Sequence, residues 1–149
     1  MSIELDRLAD EIRNCQRCPL RMGATQPVPG LGPDKVKYVL IGEAPGREED
    51  ENGIPFCGLS GKRLDKLVHL AGLDINEVYL TNVCRCRPPD NRTPKKKEIA
   101  ACVPFLYREL HLLCPEYIIT LGRTPLELFS TSGVSSMHGT LIDVEVPYK

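Results

Sequence analysis

The chain of 149 residues has no tryptophan, five tyrosines and three phenylalanines. With so few aromatic side chains, one that stands beside a motif carries extra weight. No charge of one sign dominates either. The 19 Lys and Arg are set against 20 Asp and Glu, a formal net charge of −1. That balance excludes a protein that coats nucleic acid through a global basic field, though not one with a local basic patch. No segment approaches the roughly 18 consecutive apolar residues of a membrane-spanning helix. The amino terminus, MSIELDRLADEIRNC, is charged and has no apolar stretch of the signal-peptide kind. There is no internal repeat and no low-complexity tail. A composition of 42% hydrophobic and 26% charged residues is that of a soluble globular protein. The expectation is a cytoplasmic monomer with a single domain over residues 1–149.

Cysteine is plentiful, with seven residues. In a cytoplasmic protein, clustered cysteines point to metal or redox chemistry rather than to disulfides. Cys15 and Cys18 form a C-x-x-C pair that places two thiolates on one metal. Two further cysteines from a distant loop would close a tetrahedron, and Cys84, Cys86 and Cys102 offer one more than is needed. Zn(Cys)4 and a [4Fe–4S] cube both satisfy that donor set. Cys84 and Cys86 flank Arg85 and share a face in an extended chain, so spacing does not choose between them. Cys57, in a Gly-rich loop, and Cys114, before a proline, read as structural.

Apolar periodicity gives the layout. Leu5, Leu8, Ala9 and Ile12 lie on one helical face within residues 2–14, and the segment Cys15–Pro19 ends that helix. Residues 23–35 are a loop by composition. Continuous apolar runs at Tyr38–Ile41, Val78–Leu80 and Tyr117–Leu121 read as buried strands. Between them, Leu64, Leu67, Val68 and Ala71 mark one helix, and Ile99, Cys102, Val103, Leu106 and Leu110 another that starts from Pro94. Pro104 predicts a kink or break in that second helix. A short helix is expected to follow Gly122. Residues 140–146, TLIDVEV, alternate and predict a fourth strand. The result is an α/β three-layer sandwich around a central, mainly parallel four-stranded sheet. In such sheets chemistry collects beyond the carboxyl ends of the strands, here the loops after residues 41, 80, 121 and 146.

Those loops carry distinctive residues. Gly42-Glu43-Ala44-Pro45-Gly46 offers backbone amides to a carbonyl or anion. Phe56, between Pro55 and Gly58, either presents its ring to a planar ligand or packs on the core. Asn82, at a strand end, either reads a pyrimidine edge with its donors and acceptor or caps a turn. Arg85, Arg87, Arg92, Lys95, Lys96 and Lys97 against Asp90 form the one convincing phosphate-contact surface, or else a solvated helix start. The acids Glu43, Glu48, Glu49, Asp50 and Glu51 would repel phosphates unless buried or turned away. His69 and His111 read as structural or surface residues, and His138 precedes Gly139 in a loop.

The stretches GEAPGREEDENGIPFCGLSGKRLDKLV at 42–68 and VYLTNVCRCRPPDNRTPKKKEIAAC at 78–102, with Cys15-x-x-Cys18-Pro-Leu, resemble the family-four uracil-DNA glycosylases, which carry an iron–sulfur cluster. The likeness extends from about residue 10 to the end of the sequence. It implies the uracil-DNA glycosylase fold and hydrolysis of the N-glycosidic bond of uracil in single- or double-stranded DNA, as in base excision repair. It implies a structural [4Fe–4S] cluster, in preference to zinc, on Cys15, Cys18, Cys86 and Cys102. By the same resemblance Glu43 and Ala44, with Gly42, contact uracil and position the attacking water, Phe56 stacks on the flipped base and Asn82 bonds its edge. Arg87, Arg92, Lys95 and Lys96 would follow the DNA backbone. The family has a further T-x-H-P motif and a Leu-bearing loop after the fourth strand. The sequence given ends at Val146-Pro147-Tyr148-Lys149, where that motif would begin, and His138 lies before it. Impaired activity is therefore one expectation. An inactive iron–sulfur protein of the same fold that binds DNA or a base is the alternative.

Overall fold

The computed structural model describes residues 2–147. Helix α1, Ile3–Arg13, opens on Ser2, whose hydroxyl accepts the Leu5 N–H at 3.4 Å. A short helix α2, Leu20–Gly23, follows the first cysteine pair. Strand β1 is Tyr38–Gly42, followed by helices α3, Arg47–Asn52, and α4, Leu59–Leu70. Strand β2 is Val78–Asn82, and a 3-10 turn at Pro89–Asn91 leads to helix α5, Lys96–Leu113. Strand β3, Tyr117–Thr120, precedes the short helices α6, Arg123–Leu126, and α7, Val134–Met137.

The strands form a parallel sheet in the order β2-β1-β3. Alternate residues of β1 face opposite layers. Val39 and Ile41 pack with Leu8 and Ile12 of α1 and with Phe105, Leu106 and Leu110 of α5. Leu40 turns to the other side, against Leu64 and Val68 of α4. Each fully buried aliphatic side chain contributes about 1.5–3 kcal/mol. Both faces of β1 are thus covered by helices, which is why its sequence reads as a continuous apolar run. The register sets Gly42 opposite Asn82, so β1 and β2 deliver their last residues to the same level.

Two expectations need correction. The sheet has three strands among the described residues, not four. Residues 141–147 form no strand, and Leu141 is 81% exposed. The segment leaves the sheet edge instead: Val146 packs against the α1/α5 cluster, and the Pro147 carbonyl lies 3.0 Å from His111 Nε2. Alternation marks a surface that could be half-buried, but without a neighbouring strand it forms no ladder. Tyr148 and Lys149, the last residues of the expected exit from that strand, lie outside the described residues. Second, of the kink or break expected at Pro104 there is no break: α5 is continuous from Lys96 to Leu113. The proline removes the hydrogen bond to the Ala100 carbonyl, but Ala100 is exposed, where water can satisfy it, and Cys102, Phe105 and Leu106 are buried.

Candidate functional site

Three segments converge at the carboxyl end of the sheet. Gly42 ends β1 and Glu43–Gly46 follow it, Asn82 ends β2 and Arg87–Arg92 lie just beyond, and residues 56–60 run from the α3–α4 loop into the first turn of α4. Together they line a cavity of about 520 Å3. That lies within the range of about 300–1,000 Å3 usual for small-molecule sites.

Gly42 sits where the Phe56 and Asn82 side chains meet. A Cβ there would stand 2.5 Å from Asn82 Oδ1 and 2.7 Å from Phe56 Cζ. The ring and the amide therefore come together at one point, and a side chain at position 42 would displace one of them. Asn82 is buried, and among the described residues its amide makes no hydrogen bond to protein. Both donors and the acceptor remain for a ligand. Phe56 is half-buried: its ring lines the cavity and also packs against the α4-side cluster. Phe56 thus packs on the core with part of its ring and lines the cavity with the rest. Its backbone is left-handed, φ 55°, a strained state for a bulky residue. Gly61 of α4 makes that state possible, because a Cβ there would lie 1.6 Å from the Phe56 carbonyl oxygen. Nothing in the sequence pattern singles out Gly61; a glycine inside a helix-forming stretch is the only signal.

Glu43 is fixed by Thr124 of α6, whose hydroxyl donates to Glu43 Oε2 at 2.5 Å. Thr124 was not among the sequence candidates; its position just after Gly122 at the end of β3 was the available signal. The acidic stretch is largely occupied. Asp50 is buried and accepts the Thr25 N–H at 2.9 Å, and Glu49 Oε1 accepts the Gly58 N–H at 3.2 Å. These carboxylates tie the 56–58 loop and residue 25 to α3, while Glu48 and Glu51 are exposed.

The basic surface is narrower than the sequence implies. Arg85 is not part of it: it is 1% exposed and ion-paired with buried Glu109 of α5. Arg92 makes two bonds to Glu98, at 2.7 and 3.0 Å, and that Arg92 hydrogen bond holds the Glu98 carboxyl below its ordinary value. Arg87 Nε donates to Asn91 Oδ1 at 2.7 Å, and both line the cavity. Asp90 and Asn91 both hold left-handed backbones, φ 53° and 57°, so the turn between the prolines and α5 is tight. Lys95, Lys96 and Lys97 are exposed. His69 and His138 are exposed as well, away from the cavity lining.

The cysteines divide. Cys15, Cys18, Cys86 and Cys102 line one small cavity between the loop after α1, the loop after β2, and α5, together with Arg17, Arg21 and Arg85. Cys57, Cys84 and Cys114 do not line it. Cys102 is lowered to about 7, because it accepts from the Cys84 thiol and from the Arg85 N–H at 3.2 Å, with the Arg85 charge nearby. Cys84 moves upward for the same reason, its proton being held toward Cys102. Burial pushes Cys86 up to about 12 and also raises Cys18. Among the described residues no three His, Cys, Asp or Glu are gathered as a single-ion site. The donor set itself fits a thiolate-bound metal: four sulfurs, no carboxylate or imidazole in the lining, and three guanidinium groups to offset thiolate charge.

The fold and these features define a parallel α/β protein with a cavity lined by Phe56 and Asn82 at its strand ends and a separate four-thiol pocket. The model of the uracil DNA glycosylase superfamily matches residues 29–146. The chain is 48% identical to the type-4 uracil-DNA glycosylase of Saccharolobus solfataricus over 120 residues, 80% of this chain and 56% of that protein. It is 41% identical to that of Sulfurisphaera tokodaii over 131 residues, 87% of this chain and 60% of that protein. It is 44% identical to that of Archaeoglobus fulgidus over 149 residues, 95% of this chain and 74% of that protein. The chain thus spans 56% and 60% of the length of the first two of these relatives. It belongs to the uracil DNA glycosylase superfamily and, within it, to the type-4 family.

Proposed function

We propose that the protein holds uracil, turned out of DNA, between the Phe56 ring and the Asn82 amide and hydrolyses its N-glycosidic bond. The observation that carries this reading is the meeting of those two groups at Gly42, with the Asn82 amide unclaimed by protein. An amide offers a donor to a uracil carbonyl and an acceptor to its N3–H, whereas the aromatic ring serves any planar base. A base inside the duplex leaves C1′ unreachable, so the nucleotide must be flipped first. Water then attacks C1′, the C1′–N1 bond breaks, the electron pair leaves with uracil as an anion, and the proton lost by the water neutralises the departed uracil. Ala44 offers no side-chain base. Glu43, oriented by Thr124, is the residue that positions the water, and the Asn82 donor stabilises charge on the departing ring. Arg87, Lys95 and Lys96 carry the DNA backbone, with Arg92 contributing less because Glu98 shares its charge.

Cys15, Cys18, Cys86 and Cys102 would hold a [4Fe–4S] cluster, with zinc as the other thiolate-compatible occupant. Held there, such a centre would serve a structural role, with Cys15 and Cys18 from the loop after α1, Cys86 from the chain leaving β2 and Cys102 from α5 as its ligands. Release of uracil from uracil-containing single-stranded and duplex oligonucleotides tests the activity. Expected are free uracil and an abasic site, both lost in Phe56→Ala. DNA binding without uracil release at enzyme excess would instead leave a binding protein of the same fold.

A further inference from the structure

A buried charge beside the four-thiol cavity has no part in the proposed reaction. The Arg85 side chain is 1% exposed, and its Nη2 donates to Glu109. Glu109 also accepts from Tyr79 Oη at 3.1 Å and from Thr81 Oγ1 at 2.7 Å. The carboxylate is therefore well supplied, but the guanidinium is not. Among the described residues, the buried side-chain N–H groups without a partner are Arg85 Nε, Arg85 Nη1 and Arg21 Nε. An unmet buried donor is costly, and more so on a charged group. Natural structures rarely leave such groups unexplained.

All three orphaned donors belong to residues that line the four-thiol cavity. Neither arginine has another claimant for them. Arg21 makes one other contact, from Nη1 to the Ala24 carbonyl at 3.1 Å. The Arg85 backbone N–H already donates to Cys102 Sγ. A metal bound by four thiolates, whether a single Zn2+ or an oxidised [4Fe–4S] cube, is doubly negative and presents sulfur lone pairs as acceptors. Arginine charge and sulfur acceptors thus complete each other.

We propose that Arg21 and Arg85 are the outer ligands of this centre: their unpartnered N–H groups hydrogen-bond its sulfurs and offset its charge, and so retain the metal. The inference rests on the reading that Cys15, Cys18, Cys86 and Cys102 hold a metal. It goes beyond that reading in assigning Arg85, a member of the basic run 85–97, to the metal rather than to DNA. It also gives the Arg85–Glu109–Thr81 chain a purpose, since that chain joins the centre to β2 one residue before Asn82.

The test compares the purified protein with Arg21→Met and with the double variant Arg85→Met/Glu109→Leu. The double change removes both members of the buried pair, so no lone charge is left behind. Iron and zinc content, the rate of metal loss to a strong chelator, and the melting temperature of the metal-free form are measured. Outer ligands commonly account for 10–100-fold in metal affinity. Metal should therefore leave Arg21→Met at least about tenfold faster, with the metal-free melting temperature unchanged. The double variant should lose metal faster still; if it does not fold, Arg21→Met decides alone. Wild-type protein that holds metal while Arg21→Met releases it at the same rate overturns the inference and leaves the metal reading intact. A fall in the metal-free melting temperature with no change in release also overturns it, because that is the mark of a packing role. Wild-type protein that binds neither iron nor zinc overturns both.

Discussion

Gly61→Ala sets two effects of opposite sign against each other. Within an unobstructed helix, alanine in place of glycine gains about 1 kcal/mol. In α4 the new Cβ would lie 1.6 Å from the Phe56 carbonyl oxygen and 2.3 Å from its carbonyl carbon. To reach the 3.0 Å that real Cβ atoms respect, that carbonyl must retreat by about 1.4 Å. Both obstructing atoms are backbone, in a residue already held at φ 55° and joined to a loop pinned by the Glu49–Gly58 bond. Overpacking of this kind costs about 1–3 kcal/mol and should outweigh the propensity gain. A shift of about 1 Å in a group that positions substrate can cost 100-fold in rate. The expected result is a stability change between zero and about −2 kcal/mol by thermal unfolding, with uracil release falling about 100-fold. Gly23→Ala, where a Cβ meets nothing within 4 Å, is the control and should leave release unchanged. A stabilised Gly61→Ala protein that releases uracil at the wild-type rate would show that α4 does not hold the Phe56 backbone in place.

Three other perturbations probe separate parts of the site. Asn82→Asp removes the donors from the buried amide, so discrimination for uracil should collapse while DNA binding persists; unchanged selectivity would remove Asn82 from base recognition. Thr124→Val deletes a bond to a carboxylate, usually worth about 1.5–3 kcal/mol, so release should slow about ten- to a hundredfold, mainly in kcat, with Thr124→Ser restoring it. Equal rates in the valine and serine variants would contradict a positioning role. Replacing Lys95, Lys96 and Lys97 together by alanine should flatten the logarithmic salt dependence of DNA affinity by about 0.7–0.9 for each phosphate no longer neutralised, and an unaltered slope would place the phosphate track elsewhere.

Strands β1 and β2 and the long helices were legible because burial wrote them into the sequence; β3, expected as a buried strand, is only half-buried, with Tyr117 exposed. Val39, Leu40 and Ile41 are covered on both faces, and their continuous apolar run reports it. Residues 140–146 have the pattern of a strand but not its neighbour, which no local window can supply. The same limit hid Arg85. A count of basic residues does not say which way a side chain points, and Glu109, its partner, lies 24 residues away in sequence. A signal was present: Glu109 stands on the same face of α5 as Cys102, Leu106 and Leu113, where an acid must have a buried partner. Within the cavity, Phe56 and Asn82 were legible as residue types placed at strand-end loops. Their meeting at Gly42 depended on the register of β1 against β2, and the left-handed Phe56 backbone depended on a glycine in the next helix.

The most direct measurement is a crystal structure of the protein soaked with uracil. The pyrimidine should lie flat against the Phe56 ring, with the Asn82 amide bonded to its edge and no side chain intervening at Gly42. Uracil bound elsewhere, or an Asn82 amide turned away into a hydrogen bond with protein, would contradict the account.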